Sequence, residues 1–152
     1  MKWIPQDIET YLNAKEYVDT AIIPIYSISF EGEMKQSASA SEFISLLTNQ
    51  IERQFTGRLL LFPPFTYLKN ENSEKVLNDL LTWEENIIKG DFKHIYYITS
   101  DIEWKAHEEK LGGSLIWLPS LLLEQMSESQ KVEMINSQVK QLLSLFTQKW
   151  QG

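Results

Sequence analysis

Three short apolar runs constrain the fold of this chain more than any other feature. Leu59-Leu60-Leu61-Phe62, Ile95-Tyr96-Tyr97-Ile98 and Leu115-Ile116-Trp117-Leu118 do not alternate apolar with polar residues. A strand with one face in water alternates. A strand covered on both faces need not, and such strands belong to parallel sheets with helices on either side. A further extended segment, Ala21 to Phe30, carries Ile22, Ile23, Ile25, Ile28 and Phe30.

Helix-period segments separate these runs. Pro5 suits a first helical position, and Ile4, Ile8, Tyr11, Leu12 and Val18 recur at helical spacing, so an opening helix is expected to about Tyr17. Gln36 to Ser41 reads as a loop running into a helix, with Ser39 and Glu42 as a capping box. Phe43, Leu47, Ile51 and Phe55 follow at i+4 steps, and Gly57 marks the stop. Asn72 or Ser73 caps a helix bearing Val76, Leu77, Leu80, Leu81, Ile87 and Ile88, closed by Gly90. Asp101 caps a short helix to Lys110, and Gly112-Gly113 reads as a turn. Ser127 or Ser129 opens a last helix with Val132, Ile135, Val139, Leu142, Leu143, Phe146 and Trp150 along one face.

The connections between successive strands are long enough for helical crossovers. The expectation is a three-layer α/β/α sandwich with about four mainly parallel strands, flavodoxin-like or small Rossmann-like in order. The 152 residues suit one domain, and 43% hydrophobic with 23% charged residues is ordinary globular composition.

Composition narrows the chemistry. With no cysteine there is no disulfide, thiolate metal site or thiol nucleophile, which fits a reducing compartment. A net charge of −7 and scattered lysines oppose nucleic-acid binding. The start of the chain does not read as a signal peptide, and the longest apolar stretch, Leu115 to Leu123, is broken by Pro119 and Ser120. The expected location is cytoplasmic, with no membrane contact. Neither a Gly-x-Gly-x-x-Gly turn nor a Gly-x-x-x-x-Gly-Lys-Ser/Thr loop occurs, and no Gly-x-Ser-x-Gly elbow exists. His94 precedes the third strand, at the edge opposite Asp101, and His107 falls on a different helix face from Asp101, so no acid–base dyad is expected. With two separated histidines and no cysteine, neither a metal nor another cofactor is expected.

In open parallel sheets, ligands bind beyond the carboxyl ends of the strands, at the switch in strand order. That edge is expected to hold Ser27, Ser29, Phe30 and Glu31 from the first strand, Pro63 to Tyr67 from the second, Thr99, Ser100, Asp101 and Trp104 from the third, and Pro119 and Ser120 from the fourth. Thr99, Ser100, Asp101, Ser27 and Ser29 are the ligand-binding candidates. Asp101 also has a plain structural reading as a helix N-cap. Phe65, Tyr67 and Trp104 are the candidates for binding a protein partner, the first two on a loop stiffened by Pro63-Pro64. The other reading of Phe65 and Tyr67 folds both rings over the end of the core. The last helix offers a core face or, through Leu145 and Trp150, a homodimer contact.

Met1-Lys2-Trp3, the segment Tyr11 to Pro24 and the block Phe62-Pro63-Pro64-Phe65-Thr66-Tyr67 resemble the YpiF-type family of small proteins from Bacillus-type bacteria. The resemblance covers the whole chain. It implies a cytoplasmic protein without known enzymatic activity, with an expected link to regulated Clp-type proteolysis of a cell-wall-synthesis enzyme. It assigns no residue a role. Two functions from different classes follow: a non-enzymatic interaction or regulatory protein, and a small-molecule or nucleotide-binding α/β enzyme with its site at the carboxyl edge.

Overall fold

The computed structural model describes residues 1–121 and 123–151. Five strands form one sheet: β1 (Thr20–Ile28), β2 (Leu59–Leu61), β3 (Phe65–Leu68), β4 (His94–Thr99) and β5 (Ser114–Trp117). Every pairing is parallel, in the order β2-β1-β4-β5, with β3 also on β1. Four α-helices accompany it: α1 (Pro5–Leu12), α2 (Met34–Gln54), α3 (Ser73–Lys89) and α4 (Glu128–Gln151).

Alternate residues of the central strands bury into two separate cores. Ala21, Ile23 and Ile25 of β1 and Ile95 and Tyr97 of β4 face Tyr11 of α1, Val76, Leu77 and Leu80 of α3, and Trp104. Ile22 of β1 and Tyr96 and Ile98 of β4 face Phe43 and Leu47 of α2 and Ile135, Val139 and Phe146 of α4. Helices therefore cover both sides, and the expected three-layer α/β/α sandwich is what the chain forms. The absence of alternation follows, since both faces of these strands are dry.

Several element boundaries depart from the sequence reading. The opening helix stops at Leu12, with a 3₁₀ turn over Lys15–Tyr17. β1 ends at Ile28, leaving Phe30 62% exposed. α2 starts at Met34, so the Gln36 to Ser41 patch is helix rather than loop, and Ser39 is no cap. In α4, Val132 is 58% exposed and leaves the apolar stripe. The Ser127 hydroxyl accepts from Gln130 N at 3.2 Å while Gln130 Oε1 accepts from Ser127 N at 2.9 Å, a reciprocal cap.

The largest departure lies after Pro63-Pro64. The sequence reading ends the second strand there and makes Phe65 to Tyr67 a loop. Instead the chain resumes as β3 on the same side of β1. Leu61 lies opposite Ile22 and Phe65 opposite Ile25, so three residues of the edge face two of β1, a bulge of one residue. The carbonyls of Ile22 and Ile28 accept from Phe62 N and Lys69 N, both at 2.9 Å, on this edge. Pro24 shares their orientation, since alternate residues of a strand direct their backbone groups the same way. Its missing N–H therefore faces the break, where no ladder bond is lost. That explains a proline inside a central strand.

Candidate functional site

The strand order reverses between β1 and β4. A cleft of about 340 Å³ opens there at their carboxyl ends. Ser27, Ser29, Thr99, Ser100 and Asp101, far apart in the chain, all line it. The topology thus brings together the five residues singled out as ligand-binding candidates.

The β4 side is built around Asp101, which is 8% exposed. Its Oδ1 accepts from Glu103 N at 3.1 Å, capping the 3₁₀ segment Ile102–Lys110. The same oxygen lies 3.3 Å from Lys69 Nζ. The other oxygen accepts from the Tyr67 hydroxyl, which in turn accepts from Trp104 Nε1 at 2.9 Å. Burial pushes the Tyr67 phenol well above its ordinary pKa, and the adjoining Asp101 carboxylate adds to that. Tyr67 is thus a fixed proton donor at neutral pH. The cap and the cluster coexist, because a carboxylate has lone pairs enough for both. Thr99, 1% exposed, accepts from Asp101 N at 3.0 Å through its hydroxyl.

Ser100 is held differently. Its carbonyl accepts from Trp117 Nε1 at 3.2 Å, and Lys105 Nζ sits 4.5 Å from the centre of the Trp117 ring. The backbone is pinned, while the Ser100 hydroxyl oxygen is closed to solvent and, among the described residues, without a hydrogen-bond partner. Across the cleft, Ser37 of α2 donates to Ser27 O at 2.7 Å and accepts from Ser29 N at 3.1 Å. This clasp fixes the end of β1 against α2. The Ser27 hydroxyl stands beside Tyr67 without completing a hydrogen bond.

The three aromatic candidates form a wall beneath this site rather than a surface patch. Phe65 is 5% and Trp104 3% exposed. Phe65 meets Trp83 edge-on at 5.3 Å, and Tyr67 meets Trp104 edge-on at 5.7 Å. The rings fold over the end of the core, the second of the two readings. The Phe65 ring is closed off from a partner at this position. Tyr67 and Lys69 fall two apart because β3 and its continuation send alternate side chains to one face.

Sequence reasoning missed Lys69, Glu33, Gln36, Ser37 and Ser41, all of which line the cleft. The α2 residues were hidden by reading their segment as loop, and Lys69 by ending the second strand at Pro63. The Tyr67-x-Lys69 spacing was the available signal for a strand. Among the described residues no group of three His, Cys, Asp or Glu side chains could hold a metal ion. His94 begins β4, at the edge opposite the cleft.

A family model described as "Protein of unknown function (DUF2487)" matches residues 9–150. The chain belongs to this family. It is also 37% identical over 151 residues to "Uncharacterized protein YpiF" of Bacillus subtilis (strain 168), covering 99% of this chain and 98% of that protein. The family resemblance read from the Tyr11 to Pro24 and Phe62 to Tyr67 segments is thereby shown. No solved structure matches. Among the described residues, no helix of this DUF2487 member is long and apolar enough to cross a membrane.

Proposed function

We propose that this chain is a binding protein that takes a small polar ligand in the cleft between β1 and β4 and acts in a regulatory rather than a catalytic role. The observation that carries the reading is the convergence of Ser27, Ser29, Thr99, Ser100 and Asp101 on one cleft at the strand-order switch. Hydroxyl, carboxylate and ammonium groups gathered in one concave site suit a small polar ligand. What favours binding over catalysis is that the buried carboxylate of the cleft is committed. Asp101 is engaged by Tyr67, Glu103 N and Lys69, so none of its oxygens is a ready base.

The test is thermal unfolding with a panel of small polar metabolites, on the native chain and on Ser41→Phe. The new ring grows from α2 into the cleft. A ligand at a hundred times its Kd stabilises by roughly 2.7 kcal/mol. The expected result is an upward Tm shift that Ser41→Phe abolishes. A shift that persists in Ser41→Phe, or none from any compound, overturns the reading.

A protein-partner role is the second reading, and with it go cytoplasmic location and the link to regulated proteolysis. It is supported by exposed apolar side chains at the first helix, Ile4 at 47% and Leu12 at 56%. Of the two residues expected to make a homodimer contact through the last helix, Leu145 is 39% exposed, while Trp150 packs edge-on against Phe55 and donates to Thr20 Oγ1 within the chain. Light scattering on the purified chain separates monomer from dimer. Cross-linking in cells, with Leu12→Lys as the comparison, tests the partner surface; identical cross-linked species from both would remove it.

A further inference from the structure

We propose that Glu52, with the carbonyls of Thr56 and Leu59, forms a site for a free α-ammonium group, filled in this chain by that of Met1, and that an acyl group on Met1 opposes the native fold. The site lies at the amino-terminal ends of β1 and β2, at the edge of the sheet opposite the cleft. Glu52 is near the end of α2 and is 5% exposed. The other buried residues of that helix are Phe43, Ile44, Leu47, Thr48 and Ile51, none of them charged. A carboxylate buried on such a face is costly unless it is paired. Its Oε2 accepts from the Met1 ammonium at 3.0 Å, and among the described residues its side chain has no other hydrogen-bond or ion-pair partner.

An ammonium has three N–H groups, and here each has an acceptor. Besides bonding to Glu52, the Met1 ammonium donates to Leu59 O at 2.9 Å and to Thr56 O at 3.2 Å. Thr56 follows the C-terminal end of α2, where the helix dipole favours a cation. The neighbouring backbone is held by separate bonds. Met1 O accepts from Leu61 N at 2.8 Å, Lys2 N donates to Asp7 Oδ2 at 2.8 Å, and the Trp3 ring lies 4.9 Å from that of Phe62. The amine therefore cannot swing out to water without undoing these contacts. A formyl or acetyl group would replace the ammonium by a neutral amide with a single N–H. Two of the three acceptors then lose their donor, and Glu52 keeps a buried charge with no counter-ion. A chain begun on formylmethionine would complete its fold only after hydrolysis of the formyl amide. In that step water cleaves the C–N bond, its oxygen leaving in formate and both its protons ending on the amine.

The experiment is urea unfolding of the full chain with Met1 free and with Met1 formylated, the second prepared from cells whose deformylating hydrolase is inhibited and both verified by intact mass. Each form is made with the native Glu52 and with Glu52→Gln. Formylation is expected to lower the midpoint of the native sequence by about 1 M urea or more. In Glu52→Gln the loss on formylation should be less than about half as large, because no buried charge is left unpaired. An unchanged midpoint on formylation overturns the proposal. An equal loss with either residue at 52, failure of both formylated chains to fold included, means crowding alone and overturns it too. A second measurement needs no variant. At neutral pH the α-amine of the native chain should react with an amine-acylating reagent about tenfold or more slowly than that of the urea-unfolded chain, since reaction requires local opening. Labelling of Met1 at equal rates in the two states would overturn the proposal.

Discussion

Glu84 is a buried charged residue tied into the structure away from the cleft. It projects from α3, is 6% exposed, and accepts from the Tyr97 hydroxyl at 2.8 Å, Gly113 N at 2.7 Å and Gly112 N at 3.1 Å. One carboxylate thereby holds the turn before β5 onto α3 and the underside of β4. Glu84→Ala leaves the buried Tyr97 hydroxyl and two part-buried backbone N–H groups without their acceptor and is expected to cost about 1–3 kcal/mol, read by urea unfolding. Glycine at 113 is a matter of space. A Cβ there would lie 2.8 Å from Tyr97 Cε2 and 2.9 Å from the Ile95 carbonyl oxygen. Gly113→Ala is expected to destabilise by about 1–3 kcal/mol in the same assay, as overpacking does. A neutral outcome for either variant would mean that the turn is not held as described.

The elements differ in how firmly they are anchored. α4 is fastened by its aromatic end: Phe146 is fully buried, meets Tyr96 edge-on at 4.7 Å, and lies beside Phe55 and Trp150. Trp150 donates through Nε1 to Thr20 Oγ1 at 2.7 Å, and the Arg58 guanidinium sits 4.4 Å from its ring centre. Phe146→Ala is expected to cost about 3–5 kcal/mol. Val132→Ala, on the exposed side of the same helix, should stay within about 0.5 kcal/mol. Comparable losses from both would show that α4 packs through a different face. At the sheet edge, the break between β2 and β3 coincides with Pro24, Pro63 and Pro64, three residues with no N–H to leave unpaired. Edge strands broken this way also resist pairing with other chains.

At the scale of the whole molecule, the two cores lie on opposite faces of one sheet and share β1 and β4, so neither can melt while the other stays intact. Tryptophan fluorescence and far-ultraviolet circular dichroism are expected to report one coincident urea transition. Two separated transitions would refute the shared-sheet argument. Five tyrosines, Tyr11, Tyr26, Tyr67, Tyr96 and Tyr97, have pKa values raised chiefly by burial, that of Tyr96 to about 12 with Asp19 adding to the effect. The folded state therefore keeps protons that the unfolded chain gives up near pH 10. Stability is full below that pH and is lost as pH rises from about 10 through the folded values. Tyrosinate absorbance should then appear together with unfolding rather than before it. Gradual titration of most tyrosines in a folded chain would contradict their burial.

The sequence by itself determined the layers. Unalternating runs at 59–62, 95–98 and 115–118 mean two dry faces, and the helix-period segments between them supply the cover. It also determined which edge holds the hydroxyls, because strand direction follows from parallel crossovers. Asn72 and Asp101 were legible as caps since their side chains bond to their own neighbours. The strand order came from the tertiary structure, and with it the meeting of Ser27 with Ser100 and of Lys69 with Asp101. These pairings join residues far apart in the chain, and no local periodicity encodes them. The bulge at Pro63-Pro64 is the sharpest case. Local rules end a strand at two prolines, yet β1 runs on beyond them, and Phe65 to Leu68 pair with its Ile25 to Ile28.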